Sequence, residues 1–352
     1  MAYLNRIATA VPPNDVHRAF VGFAETLLGE RARPVFRRMA ERSQIERRWS
    51  VLSPAPDPTA RAVDAEGFYN RGAFPSTGER MRRYQAEAPA LAQRAVQRLG
   101  LGDDLRRVTH LIVTSCTGFS APGLDLELVA RCRLDPSVER TLVGFMGCYA
   151  AISALKLARH IVRSEPEARV LVVSLELCTL HLQEVDDLEQ VLTFLVFGDG
   201  CAAALVTAEP TGFRLDRFKA VVAPGTGKHI TWDIGDRGFD MFLSGQVPGA
   251  IGTALRSARA EVLDGADPAA IDLWAVHPGG RTVLDAVEQA LTLAPEALAA
   301  SRAVLRDYGN MSSPTVLFVL AALLKQARRG QRGCAMAFGP GLTAETLLFS
   351  AS

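Results

Sequence analysis

Two stretches of this chain constrain its fold more than any others, because each lacks a face that it can give to water. Residues 148–163 hold no glycine or proline and are apolar almost all round as far as Arg159. Residues 313–328 open on Ser313-Pro314, favourable chemistry for a helix start, and run on as TVLFVLAALL. Both read as helices, and a helix that is apolar on every side must be covered on every side. Short runs rich in Val, Leu and Ile offer that cover: 109–114 (THLIVT), 169–174 (RVLVVS), 201–207 (CAAALVT), 271–276 (IDLWAV), 334–338 (CAMAF) and 345–349 (ETLLF). They do not alternate apolar with polar residues, as expected of strands buried on both faces. Residues 84–99 add an amphipathic helix. Strands alternating with helices imply an α/β fold. One buried helix in each half predicts a duplicated, layered architecture, although no sequence repeat marks the duplication. A chain of 352 residues is too long for one small core and suits one large domain or two fused halves. The boundary is softest near 208–216, which divides residues 1–210 from 211–352.

Composition narrows the function classes. Hydrophobic residues make up 48% and charged residues 22%, ordinary for a soluble globular protein. A net charge of +1 gives no global field to attract nucleic acid or an anionic membrane. One segment departs from this balance. Residues 31–48 hold seven Arg against two Glu, which suits either a solvated helix face or an anion site. The six Cys are scattered with no CxxC pair, so neither a disulfide framework nor a zinc site is indicated, and a reducing compartment is expected. Arg6 interrupts the apolar start, so MAYLNRIATAVPP does not read as a signal peptide. No run approaches the ~18 apolar residues of a spanning helix. A cytoplasmic protein without an integral membrane segment is expected.

Three residues carry candidate chemistry. Cys148 follows RTLVGF and Gly147 and opens the first buried helix. A helix N-terminus, with its unpaired N–H groups and positive dipole end, favours the nucleophilic thiolate. Alone, Cys148 reads better as one more core cysteine. His277 ends the strand-like IDLWAV and precedes Pro278-Gly279-Gly280, where α/β proteins place ligands. A structural turn residue is the alternative. His17, His110, His160 and His229 lack such a setting. Asn310 lies in YGNMSS, directly before the second buried helix, and Gly-Asn is also common turn chemistry. Together the three make sense. A thiol nucleophile needs a base or cation beside it. His and Asn can donate to one carbonyl oxygen and stabilise an oxyanion or enolate, as a decarboxylating acyl thioester requires.

Around these residues the sequence resembles the type III polyketide synthases, the chalcone-synthase-like family of the thiolase superfamily. The blocks are GFMGCYAA (144–151), FGDG (197–200), VPG (247–249), WAVHPGG (274–280), YGNMSSPTVLFVL (308–320) and AFGPGLTAETLLF (337–349). The resemblance implies a thiolase-like layered αβαβα fold with two related halves. It implies that Cys148 carries the acyl chain, while His277 and Asn310 polarise the thioester and hold the enolate formed from malonyl-CoA. Phe197 matches the gatekeeper between the CoA tunnel and the cavity, and the second gatekeeper position falls on Met241. Trp232 stands where plant enzymes have a small glycine. Cys116, Thr117, Cys178, His181 and Ser312 fall near cavity-lining positions, with ordinary packing as the alternative. Arg42, Arg47 and Arg48 lie where the family keeps basic residues that meet CoA phosphates, a task suited to the planar guanidinium.

The implied partners are an acyl-CoA starter, malonyl-CoA and a second copy of the chain, with no carrier protein, metal or redox cofactor. ELCTLHLQ (176–183) resembles bacterial members that make alkylresorcinols or alkylpyrones from fatty acyl-CoAs. A priming ketoacyl synthase shares the chemistry, but HPGG and GPGLTAET argue against it. A papain-like protease uses the same three residue types, but here 147 residues precede the Cys. An inactive acyl-CoA-binding homologue would not need the intact Cys-His-Asn set.

Overall fold

The computed structural model describes residues 1–352. In chain order the first half contains β1 (Tyr3–Ala10), β2 (Asn14–Asp15), α1 (His17–Leu27), α2 (Arg33–Arg42), β3 (Trp49–Ser50), α3 (Thr77–Gln97), β4 (His110–Ser115), α4 (Leu124–Cys132), β5 (Glu139–Gly144), α5 (Ala150–Ser164), β6 (Val170–Leu177), α6 (Leu188–Val196) and β7 (Asp199–Thr207). The second contains β8 (Phe213–Val222), β9 (Ile230–Gly235), β10 (Gly238–Leu243), α7 (Val247–Val262), β11 (Leu273–Val276), α8 (Arg281–Leu291), α9 (Ala299–Tyr308), α10 (Thr315–Leu324), β12 (Arg332–Gly339) and β13 (Thr343–Ala351).

The two apolar stretches are α5 and α10, and they form the central layer. Their side chains share one core cluster with residues of both sheets, among them Ile152, Leu155, Val316 and Leu320. The period of two along a strand divides each sheet's residues between this layer and an outer one. In β6, Val170 and Val172 face the central helices, while Leu171, Val173 and Leu175 pack under α3 and α4. In β12, Ala335 and Ala337 face inward, while Cys334, Met336 and Phe338 pack under α7 and α8. The result is helices, sheet, helices, sheet, helices, the αβαβα layering expected.

Sheet topology shows the duplication that the sequence hides. Nine strands run in the order β11-β12-β13-β8-β1-β7-β6-β4-β5. Outward from β1, β7 is antiparallel, β6 is antiparallel to β7, and β4 is parallel to β6. Outward from β8, β13, β12 and β11 repeat those senses. The halves join at a short seam where Tyr3 and Leu4 pair with Arg214 and Phe213. The first half carries one strand more, β5, parallel to β4 at the sheet's edge. Four of its six residues, Glu139–Leu142, are exposed.

Two elements differ from expectation. The amphipathic helix begins at Thr77 rather than residue 84, because Ser76 and Glu79 form a reciprocal capping box about two turns earlier. A hairpin, β9–β10, lies outside the main sheet and packs against the loop after β4. Trp232 Nε1 donates to the Cys116 carbonyl at 2.7 Å, and the Phe239 amide donates to His181 Nδ1 at 3.0 Å. Its short strands carry no long apolar run, so the sequence did not announce it.

Candidate active site

Cys148 sits in a single 3-10 turn, Gly147–Tyr149, between β5 and α5. Gly147 takes φ +68°, and a Cβ there would lie 2.2 Å from Pro340 Cδ, so only glycine lets the loop after β12 close over the nucleophile. The Gly147 amide donates to Cys116 Sγ at 3.0 Å rather than to Cys148. The expected benefit of the helix start is therefore outweighed. Burial pushes the Cys148 thiol up to about 11, and the polar side chains of Ser312 and Asn310 act the other way.

His277 follows β11, and its amide donates to the Met336 carbonyl at 2.8 Å. The ring is 1% exposed, and neither nitrogen has a partner. Burial lowers its pKa to about 3, so the resting imidazole is neutral. Asn310 precedes α10. Its Oδ1 accepts from the Ser312 amide at 2.8 Å, which fixes the amide plane. Its Nδ2 then points toward the glycine turn after His277, 3.3 Å from the Gly279 carbonyl. Its backbone bridges to the neighbour of the FGDG motif: Asn310 N donates to Val196 O at 2.8 Å, and Gly198 N donates to Asn310 O at 2.9 Å.

Cys148, His277 and Asn310 line one chamber of about 1140 Å³, whose wall also includes Met39, Val247 and Pro248. Behind it lies an inner chamber of about 520 Å³. Cys148, Phe197, Ile230 and Met241 border both, so the thiol stands at the constriction. Cys116, Thr117, Cys178, His181, Trp232 and Ser312 all line the inner chamber. Several of them have their polar atoms engaged in holding its wall. The His181 ring stacks on Phe239 and uses both nitrogens, Nε2 with the Thr117 carbonyl at 2.7 Å and Nδ1 with the Phe239 amide. A third, apolar chamber of about 580 Å³ shares Cys178, Phe194 and Phe197 with the inner one and reaches Phe20, Leu52 and Tyr69.

The three arginines separate. Arg42 is exposed on α2, one turn from Met39 at the outer chamber. Arg47 is exposed. Arg48 stands apart from the other two: it is 2% exposed, with Nε donating to His17 and Nη1 to the carbonyls of Phe194 and Phe197. Sequence reasoning missed Glu176, whose carboxylate lies behind the inner wall. It accepts from Cys116 N, Thr117 Oγ1 and Ser313 Oγ at 2.7–2.8 Å, and burial raises its pKa to about 7. The lone acid within VLVVSLEL was the available signal. No group of three or more His, Cys, Asp or Glu is arranged to hold a metal, and no helix is long and apolar enough to cross a membrane.

Residues 2–210 match the family model of chalcone and stilbene synthases, N-terminal domain, and residues 216–352 match that of the C-terminal domain. The alpha-pyrone synthesis polyketide synthase-like Pks18 of Mycobacterium tuberculosis is 32% identical over 99% of this chain and 91% of its own length. Bisdemethoxycurcumin synthase of Oryza sativa subsp. japonica is 33% identical over 100% of this chain and 93% of its own. Among solved structures, the C-terminal type III polyketide synthase domain of Steely1 from Dictyostelium superimposes with a TM-score of 0.88 at 26% identity, covering 99% of both chains. The 1,3,6,8-tetrahydroxynaphthalene synthase of Streptomyces coelicolor gives 0.86 at 29%, again over 99% of both.

Proposed function

Because the chain belongs to the chalcone and stilbene synthase family, and is thus a type III polyketide synthase and an acyltransferase, we propose that it lengthens an acyl-CoA starter with malonyl-CoA, carrying the chain on Cys148. One observation carries the assignment of roles: the thiol stands between two chambers, with His277 and Asn310 lining the outer one and Trp232, Thr117 and His181 lining the inner one.

The resting thiol and imidazole are both neutral. His277 takes the thiol proton as the sulfur attacks the starter's thioester carbonyl, and that proton leaves with the CoA thiol. The acyl group then rests on Cys148. Malonyl-CoA enters the outer chamber next, and its carboxylate carbon breaks away as carbon dioxide. The enolate oxygen left behind is held by N–H donors from His277 and Asn310, whose buried setting strengthens each bond. The enolate carbon attacks the Cys148 thioester, the new carbon–carbon bond forms, and the thiolate departs. The lengthened chain returns to Cys148 and the cycle repeats before cyclisation.

The starter is read as a fatty acyl group. The third chamber is lined by Val16, Phe20, Leu52, Val63 and Phe194, and it shares Cys178, Phe194 and Phe197 with the inner chamber. An alkyl tail gains about 0.8 kcal/mol for each methylene buried there. The functional unit is read as a homodimer, since β5 leaves an edge whose backbone can pair with a second copy. Purified protein supplied with malonyl-CoA and starters from acetyl-CoA to long-chain acyl-CoAs tests the reading by product mass. Products heavier by several decarboxylated malonyl units, best with long chains, are expected. A single extension, or none without carrier protein, would instead favour a priming ketoacyl synthase.

A further inference from the structure

Of the seven arginines between residues 31 and 48, Arg48 alone is buried. Its guanidinium lies 4.5 Å from the Phe20 ring centroid. Nε donates to His17 Nδ1 at 3.0 Å, and Nη1 donates to the carbonyls of Phe194 and Phe197 at 2.9 and 2.6 Å. Nη2 has no partner. No carboxylate touches the cation; Asp15 and Asp199 act on it only from a distance. A buried charge held this way is costly, so what it holds matters.

It holds the end of α6. The carbonyls of a last helical turn lack partners, and a cation complements the negative end of the helix dipole. The residue immediately after this turn is Phe197, which borders all three chambers. Phe197 also pairs with Asn310 across the short bridge described above. The arginine stem is threaded into that bridge. A Cβ on Gly198 would lie 3.5 Å from Arg48 Cβ, and one on Gly309 would lie 2.8 Å from Arg48 Cγ. Gly309 of YGN, at φ +67°, therefore makes room for the arginine stem, while a Cβ on Gly198 would first meet the Tyr308 carbonyl at 3.1 Å.

We propose that Arg48 is a positioning residue for the condensation, fixing the Val196–Gly198 segment and, through its bridge to Asn310, the direction of the Asn310 amide. The inference rests on the roles given to His277 and Asn310 above. Decarboxylation of malonyl-CoA without a starter isolates the step that needs the amide. Arg48→Met keeps the stem and removes the donors. It is expected to lower kcat for decarboxylation about ten-fold or more while KM for malonyl-CoA stays within about two-fold, because a displaced donor is missed in the transition state.

Arg48→Lys, which can still donate to at least one carbonyl, is expected to recover part of the loss. A folded Arg48→Met with wild-type kcat overturns the proposal. So does a raised KM at unchanged kcat, which would return Arg48 to CoA binding. If Arg48→Met does not fold, as judged by circular dichroism, Arg48→Lys decides alone. It cannot satisfy two carbonyls and His17 together, so a reduced kcat supports the proposal and a wild-type kcat overturns it. A wild-type protein that neither decarboxylates nor condenses malonyl-CoA would instead overturn the proposed function, whatever the variants do.

Discussion

At the scale of single residues, the active site runs on groups that burial keeps neutral. The Cys148 thiol is pushed up to about 11, and His277 is pulled down to about 3. The thiolate fraction should therefore grow about ten-fold per pH unit across pH 6–9. Alkylation of Cys148 by iodoacetamide should rise with it, showing no step near the ordinary histidine value. A flat rate across that range would mean a preformed thiolate–imidazolium pair. Cys148→Ala should abolish covalent acyl loading, seen by intact mass, yet retain decarboxylation of malonyl-CoA, which needs only the donors. Equal loss of both would merge the two roles. The three candidate catalytic residues were legible because each sits beside a motif that also shapes the backbone. Arg48 was not, since a buried arginine carries the same letter as its exposed neighbours, and only the packing of Phe20 and His17 over it tells them apart. Glu176 lies just past the strand-like run 169–174, and its letter alone gives no sign of burial.

At the scale of elements, the apolar runs read directly as strands and helices because burial on both faces leaves a strong compositional trace. The hairpin β9–β10 left none. Its residues are half in water, and what fixes it is a set of hydrogen bonds to distant segments, at Thr77, Cys116, His181 and Gln183. Yet it carries Ile230, Trp232 and Met241 into the site. Trp232→Phe removes the indole N–H and leaves the Cys116 carbonyl unpaired, which should cost about 1–3 kcal/mol and lower Tm. The smaller phenyl ring still walls the chamber, so product length should shift less than when the ring is removed. Trp232→Ala should empty part of the inner chamber and shift products toward longer chains by mass. An unchanged product range would remove the hairpin from control of length.

At the scale of the whole molecule, the duplication is a property of topology and not of letters. Two sets of strands with the same order and senses require only matching burial patterns, which many sequences satisfy. That is why layers and class were legible while the seam was not. The edge strand β5 breaks the symmetry between the halves and leaves Leu142 46% exposed. If the proposed dimer pairs through β5, Leu142→Lys should shift the particle toward monomer in light scattering, because a lysine on an edge strand opposes pairing with another edge. A wild-type mass for this variant would place the interface elsewhere.

The seam between β1 and β8 also bears on how the protein comes into being. Strand β1 lies in the middle of the finished sheet, and its partners, Cys201–Thr207 and Phe213–Arg214, come far later in the chain. On the ribosome, Tyr3–Ala10 must stay unpaired until some two hundred further residues have been made. In the second half, by contrast, β12 and β13 pair as a local hairpin. The last strand, β13, completes the mirror arrangement beside β8. The first half's sheet therefore closes only when a strand from its far end returns to the first, and β1 waits for it without a partner.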